Sequence, residues 1–315
     1  MSARSLRIGT RGSRLALWQA EHVADRLRAL PGRPGVEIVT IRTRGDHITD
    51  VPLSKVAGKA FFTKEIEDAL LDERVDLAVH SLKDLATEMP SGLALGAVLE
   101  REDARDVLVS RSGDLDRLPP GARLGTSSLR RRALVARWRP DVELVELRGN
   151  VPTRLRRLED GQLDAIILAA AGLHRLGFAD RITAYLPTDK MLPAVAQGAI
   201  GIQVRQADAW TQRWVGRLDH APTRAATAAE RALLRQLEGG CQVPVGALAV
   251  AEGDEIELRA TVCSLDGRNS VDGQRRGALI DAEQLGAALA HDLLQQGAQA
   301  ILTEIRTALE EAEEP

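Results

Sequence analysis

Hydrophobic and polar positions along this 315-residue chain follow two periods that alternate for most of its length. Short apolar runs with the look of buried strands are separated by stretches of helical spacing. The first strand signal, around Ile8, runs into Gly9-Thr10 and then a helix predicted over 13–30. A strand follows at 36–42, then a helix at 63–71 and a strand at 75–79. Further on, Ala226, Ala229, Leu233, Leu234 and Leu237 fall near helical spacing and predict a helix over 225–237. Strands are predicted at 245–250 and 256–263, joined by a Glu252-Gly253-Asp254-Glu255 hairpin turn. One long helix, 282–309, closes the chain ahead of an acidic tail.

Three pieces of this pattern occur twice in the same order. Arg7-Ile8-Gly9-Thr10-Arg11-Gly12-Ser13 resembles Arg123-Leu124-Gly125-Thr126-Ser127-Ser128, each entering a helix, the second predicted over 128–137. Val36-Glu37-Ile38-Val39-Thr40-Ile41-Arg42 matches Val142-Glu143-Leu144-Val145-Glu146-Leu147-Arg148, and Asp76-Leu77-Ala78-Val79 matches Asp164-Ala165-Ile166-Ile167. An ordered set of matches implies two α/β units of like topology, each with a mainly parallel sheet, facing each other across a ligand cleft. The Gly-broken apolar segment 194–201 reads as a crossing between them. The expected domains are 1–100 with 197–219, then 101–196, and a smaller α+β domain at 220–315.

Composition narrows the function. No apolar run approaches the roughly 18 residues that span a bilayer, and the N-terminus lacks a signal-peptide apolar region, so the expectation is a soluble, cytoplasmic protein. A net charge of -3 excludes a globally basic nucleic-acid binder, and 3% aromatics offer no base-stacking platform. Only Lys55, Lys59, Lys64, Lys83 and Lys190 among 42 cations are lysines, which makes each mildly suggestive of a site for a compact ammonium. The six histidines show no metal spacing, no paired cysteine helps them, and no nucleotide-binding glycine loop is present.

Three places can carry chemistry. His80-Ser81-Leu82-Lys83-Asp84 follows a strand directly, so its side chains sit at the rim where α/β proteins place active groups; Asp84, with Lys83 and Ser81 nearby, suits proton transfer. By itself the stretch also fits a solvated turn with Asp84 as a cap. Thr126, Ser127 and Ser128 stand at a helix start followed at once by Arg130 and Arg131, cations that oppose the helix dipole unless an anion is present. Arg148-Gly149-Asn150 and Arg154 extend that basic face, and Arg11 with Ser13 supplies the matching corner of the first unit. Arginine pairs carboxylates through two bonds, so the inferred ligand carries several carboxylates or phosphates. Finally, Gly239-Gly240-Cys241 and Pro244 place a thiol on a short loop just past a helix, displayed and not packed, although the ordinary reading of any single cysteine, Cys241 as well as Cys263 in its strand, is a small buried apolar group. The Gly-containing segment 51–62 can be a lid or an ordinary loop. Two classes remain open on these grounds, a transferase acting on a polycarboxylate and a cytosolic two-lobed binding protein for one. A displayed thiol favours the first. A nucleic-acid contact through 130–139 is a distant third.

Taken together the motifs resemble the porphobilinogen deaminase (hydroxymethylbilane synthase) family. They are Ile8 to Ser13, His80 to Asp84, Gly125 to Arg131, Arg148-Gly149-Asn150-Val151, Asp164 to Ala169, Leu192 to Val195 and Glu238-Gly239-Gly240-Cys241, in the family's order. The resemblance implies two similar periplasmic-binding-protein-like α/β domains around a cleft plus a smaller α+β C-terminal domain. It implies a monomeric transferase of tetrapyrrole and haem biosynthesis, with no metal and no membrane or nucleic-acid partner. Four porphobilinogen molecules would be joined head to tail with loss of ammonia on a dipyrromethane cofactor, held by a thioether to Cys241, and released by hydrolysis. By the same resemblance Asp84 is the catalytic carboxylate. Cofactor contacts fall to Ser81, Lys83, Thr126, Ser127, Ser128, Arg130, Arg131 and Gly149, and substrate contacts to Arg11, Ser13, Arg148, Arg154, Arg175 and Gln197. Lys55, Lys59 and Phe62 match the family's lid. Ala60 and Ala196 stand where the family usually has glycine, which bears on lid mobility and hinge freedom.

Overall fold

The structure, a computed structural model, describes residues 5–32, 34–43, 63–237 and 243–311. The chain divides into two compact units: the described residues up to 102 together with Gly198–Arg224, and Asp103–Gln197 together with the described residues from 225 onward.

The first unit opens with β1 (Ser5–Thr10), α1 (Arg14–Arg28), β2 (Gly35–Thr40), α2 (Lys64–Leu71), β3 (Leu77–Ser81) and β4 (Leu93–Val98). In the second unit come β5 (Asp106–Ser110), β6 (Arg123–Gly125), α3 (Leu129–Trp138), β7 (Glu143–Val145), α4 (Val151–Glu159), β8 (Ala165–Ala169), α5 (Ala170–Leu176) and β9 (Ala184–Tyr185). The chain then returns to the first unit as β10 (Ile200–Arg205) and α6 (Ala209–Val215), and leaves it along α7 (Ala221–Gln236). An antiparallel sheet of β11 (Val245–Glu252), β12 (Glu255–Cys263) and β13 (Ser270–Ala278) follows, then α8 (Ala282–Leu293) and α9 (Gln299–Glu311).

The strand orders are β2-β1-β3-β10-β4 in the first unit and β7-β6-β8-β5-β9 in the second. The three repeated sequence pieces occupy equivalent strands: β1 with β6, β2 with β7, β3 with β8. Their likeness extends to one side-chain bond. The Arg7 N–H donates to Asp76 Oδ2 at 2.9 Å, and the Arg123 N–H donates to Asp164 Oδ2 at 2.8 Å. Parallel pairing holds only for these three strands; β10 runs antiparallel to β3 and β4, and β5 runs antiparallel to β8 and β9. Sequence periodicity does not fix strand direction. The crossings do, because each sheet takes one strand from chain that has just come from the other unit.

Three helix starts that lead into the site have a reason in sequence. Ser13, Ser128 and Asn150 cap α1, α3 and α4 by accepting the N–H of Ala16, Arg131 and Thr153, each such cap being worth about 1 kcal/mol. The core of the first unit is apolar strand faces against α1, with Leu6, Ile8, Val23, Leu27, Leu77 and Ile202 fully buried. Two expectations fail. The final helix is not continuous: Gly297 takes φ +110 within a π-helical turn, Leu294–Ala298, that separates α8 from α9, a conformation that only glycine adopts without strain. And β13 has no counterpart among the predicted strands, because Gln274, Arg275 and Arg276 give it no apolar alternation; its pairing with β12 makes it a strand. The predicted hairpin does form, with Glu252 opposite Glu255 and Gly253 at φ +61.

Candidate functional site

In the first unit, β3 runs into a 3-10 turn, Leu82–Asp84, whose Leu82 N–H donates to Ala199 O at 3.0 Å. Leu82 is buried, and Asp84 at the end of the turn is exposed. The Ser81 hydroxyl is set by buried Gln19, whose Nε2 donates to it at 2.9 Å. Arg11 and Ser13 lie just beyond β1, where Ser13 also caps α1. His80 is buried. Burial, with a push from the charge of Arg11, lowers its pKa to about 4 although nearby Gln203 pulls the other way, so its ring stays neutral at ordinary pH.

In the second unit, Thr126, Ser127 and Ser128 follow β6. Thr126 Oγ1 accepts the Ser128 N–H, the Ser127 hydroxyl donates to Leu147 O, and Ser128 Oγ accepts the Arg131 N–H. Arg130 and Arg131, in the first turn of α3, are buried around a fully buried Asp106. Arg130 Nη1 meets Asp106 Oδ2 at 2.7 Å and Leu192 O at 2.6 Å; Arg131 Nη2 meets Asp106 Oδ1 at 2.8 Å, and its Nη1 meets Ile167 O at 3.0 Å. Burial by itself would raise the Asp106 carboxyl, but the two guanidinium charges outweigh it and hold it far below the usual carboxylate range. The first turn of α3 therefore meets an anion within the chain. Gln197, also buried, joins this cluster through Nε2 to Asp106 Oδ1 at 2.9 Å and Ala104 O at 2.8 Å.

Cations outnumber that one aspartate. Arg154 donates through Nε to Gly149 O at 2.7 Å, and burial together with the charges of Arg131, Arg148 and Arg157 lowers its pKa to about 10 against the weaker pull of Glu146. Two buried guanidinium nitrogens, Arg130 Nε and Arg148 Nη1, have no hydrogen-bond partner among the described residues. A buried donor left unpaired is costly, and cations crowded with too few anions ask for more. A ligand with several carboxylates fits both features. Gly149, at φ +109, has no room for a side chain because a Cβ would come within 2.9 Å of Thr153 Cγ2. Arg175 is buried at the end of α5.

Cys241 and the lid residues Lys55, Lys59 and Phe62 lie outside the described residues. Cys263 is a free buried thiol in the core of the second sheet, and burial raises its pKa to about 11, which leaves it inert. No metal-holding group of acids, histidines and cysteines occurs among the described residues, and no described helix is long and apolar enough to cross a membrane. Asp106 and Gln19 escape sequence reading because a single polar residue in an apolar context carries no motif. Glu230 is different. It falls on the stripe Ala226, Glu230, Leu233, Leu237, where a charge at a buried position of α7 is a legible signal.

These features define an α/β protein with an exposed carboxylate at a strand end of one unit and a buried, arginine-rich corner in the other. Two family models match: "Porphobilinogen deaminase, dipyromethane cofactor binding domain" over residues 6–213 and "Porphobilinogen deaminase, C-terminal domain" over 225–295. The chain belongs to the porphobilinogen deaminase family. It is 51% identical to the porphobilinogen deaminase of Geobacter metallireducens over 97% of this chain and 96% of that one. It is 52% identical to that of Desulforudis audaxviator over 96% and 98%. Among solved structures it is similar to the periplasmic VFT2 domain of Bordetella pertussis BvgS (TM-score 0.41, 16% identity, 68% of this chain and 86% of that one) and to a Bacillus subtilis methionine-binding lipoprotein described as putative (TM-score 0.42, 11% identity, 69% and 91%).

Proposed function

We propose that the two units divide the family's reaction between them. The chain polymerises porphobilinogen, losing one ammonia for each unit joined, and releases the product by hydrolysis as hydroxymethylbilane. The dipyrromethane cofactor, when bound, supplies the terminal pyrrole on which the first substrate is added, and Cys241 is its proposed anchor. Asp84 is the proposed catalytic carboxylate. As the aminomethyl C–N bond breaks, positive charge develops on the pyrrole, and a negative group positioned there stabilises it. Ser81, fixed by Gln19, and Lys83 flank that carboxylate and hold the cofactor. Arg11 and Ser13 take substrate carboxylates on the first unit.

On the second unit Thr126, Ser127, Ser128, Gly149, Arg130 and Arg131 are proposed to hold cofactor carboxylates. Arg148, Arg154, Arg175 and Gln197 are proposed for those of the substrate. The supporting observation is the excess of buried guanidinium donors over buried carboxylates in this corner, since each added ring brings two further carboxylates. Lys55, Lys59 and Phe62 are the proposed lid. We propose a division into 1–100 with 197–219, 101–196 and 220–315, supported by three separate sheets among the described residues, although the last sheet falls within the second compact unit. We propose a monomer acting in the cytoplasm without nucleic acid or membrane.

Intact mass tests the anchor. Purified protein should exceed its sequence mass by one dipyrromethane, and Cys241→Ser should remove the excess; turnover by protein of bare-chain mass would refute the assignment.

A further inference from the structure

We infer that Glu230 is a positioning residue for the anion-binding corner, acting through the strained backbone at Ala196. This inference rests on the proposed role of that corner. Glu230 is fully buried in α7. Its Oε2 accepts the Ala196 N–H at 2.6 Å and its Oε1 accepts the Ala249 N–H at 2.8 Å. One carboxylate thus ties the segment after Pro193 to β11. Among the described residues β11 pairs only with β12, so N–H groups on its other edge need partners. Ala247's goes to Pro193 O at 2.9 Å, and Ala249's goes to Glu230.

Ala196 has φ +60, the left-handed region that a residue with a Cβ enters only at a cost. Something must hold it there, and the short charge-assisted bond from its N–H to Glu230 does so. The consequence lands on the next residue. Gln197 Nε2 reaches Asp106 Oδ1, and Asp106 orients Arg130 and Arg131. Were Ala196 to relax to an ordinary φ, the peptide linking it to Gln197 would reorient and withdraw that amide from Asp106. Glutamine cannot replace Glu230, because one arm of its amide would turn N–H donors toward a backbone N–H.

The test uses the full-length, cofactor-loaded chain. Glu230→Gln should keep the added mass of the cofactor, raise KM for porphobilinogen about tenfold, as expected for a lost hydrogen bond to a charged group, and leave kcat within about twofold. Ala196→Gly should behave as the parent protein, since glycine adopts the left-handed conformation without help. Glu230→Gln/Ala196→Gly should recover most of the lost affinity, a rescue that a purely structural role for Glu230 would not produce. An unchanged KM in Glu230→Gln, or a double variant no better than the single one, overturns the inference. If Glu230→Gln is insoluble, a soluble double variant supports the clamp and an insoluble one refutes it. Arg148→Gln is the control for the corner itself: if it raises KM and Glu230→Gln does not, the clamp alone falls; if neither does, both readings fall.

Discussion

The first and second sheets are built on one strand order from repeated sequence, yet they end in opposite chemistry. In the first, β3 leads to an exposed Asp84 on a short turn, and the buried polar group beside it, His80, is neutral. In the second, the interior holds a charged cluster, Asp106 clasped by two arginines, with further cations and two guanidinium nitrogens that lack a partner among the described residues. The scaffold dictates where groups are displayed and not which sign they carry. The two matching corners differ in what they display: an exposed aspartate, with Lys83 and Arg11, in one, and a buried aspartate clasped by arginines in the other.

The sharpest way to break this contrast is to remove each unit's characteristic carboxylate. Asp84→Asn should lower kcat by about 100-fold or more, the usual span for a positioned acid or base, without moving the thermal midpoint, because an exposed side chain holds nothing up. Near-parental turnover would show that the first unit is not the catalytic one. Asp106→Asn should act the other way, chiefly on stability. It leaves two buried guanidinium groups without their anion, a defect of about 3–5 kcal/mol, readable as a lower denaturant midpoint. A midpoint unchanged from the parent would mean that the charged cluster is not what holds that corner.

Acid should separate the two units more finely. His80 has its folded pKa lowered to about 4 from an ordinary 6.5, so the unfolded chain binds the extra proton. Its contribution is fully present above pH 6.5 and is lost as pH falls toward 4, up to about 3 kcal/mol. The Asp106 carboxyl is also depressed, so its contribution is fully present above the ordinary carboxylate range and is lost as pH falls through that range and below it. Denaturant midpoints measured from pH 7.5 to 4.5 should decline, and His80→Gln should flatten that decline. A parental slope in the variant would mean that burial of His80 does not govern this window.

Much of this was readable from residues alone. The duplicated strands, the capped helix starts at Ser13 and Ser128, the turn bearing Asp84 and the arginine-rich face all follow from local rules: period, caps, and glycine or proline at the bends. Cys263 was likewise legible as a core thiol. What local rules do not contain is any partnership made over long sequence distance. The antiparallel strands β5 and β10 depend on the chain passing twice between units. The pairing of Arg130 and Arg131 with Asp106 and the bonding of Gln197 to the same carboxylate arise only when separate segments pack together. So does the hold of Glu230 on Ala196 and Ala249. Sequence by itself determined which groups would stand at the strand ends, because their position relative to an apolar run is local information. Only the tertiary structure decided which of those charges are neutralised within the protein and which donors remain for a ligand, because burial and distance between remote residues set that balance.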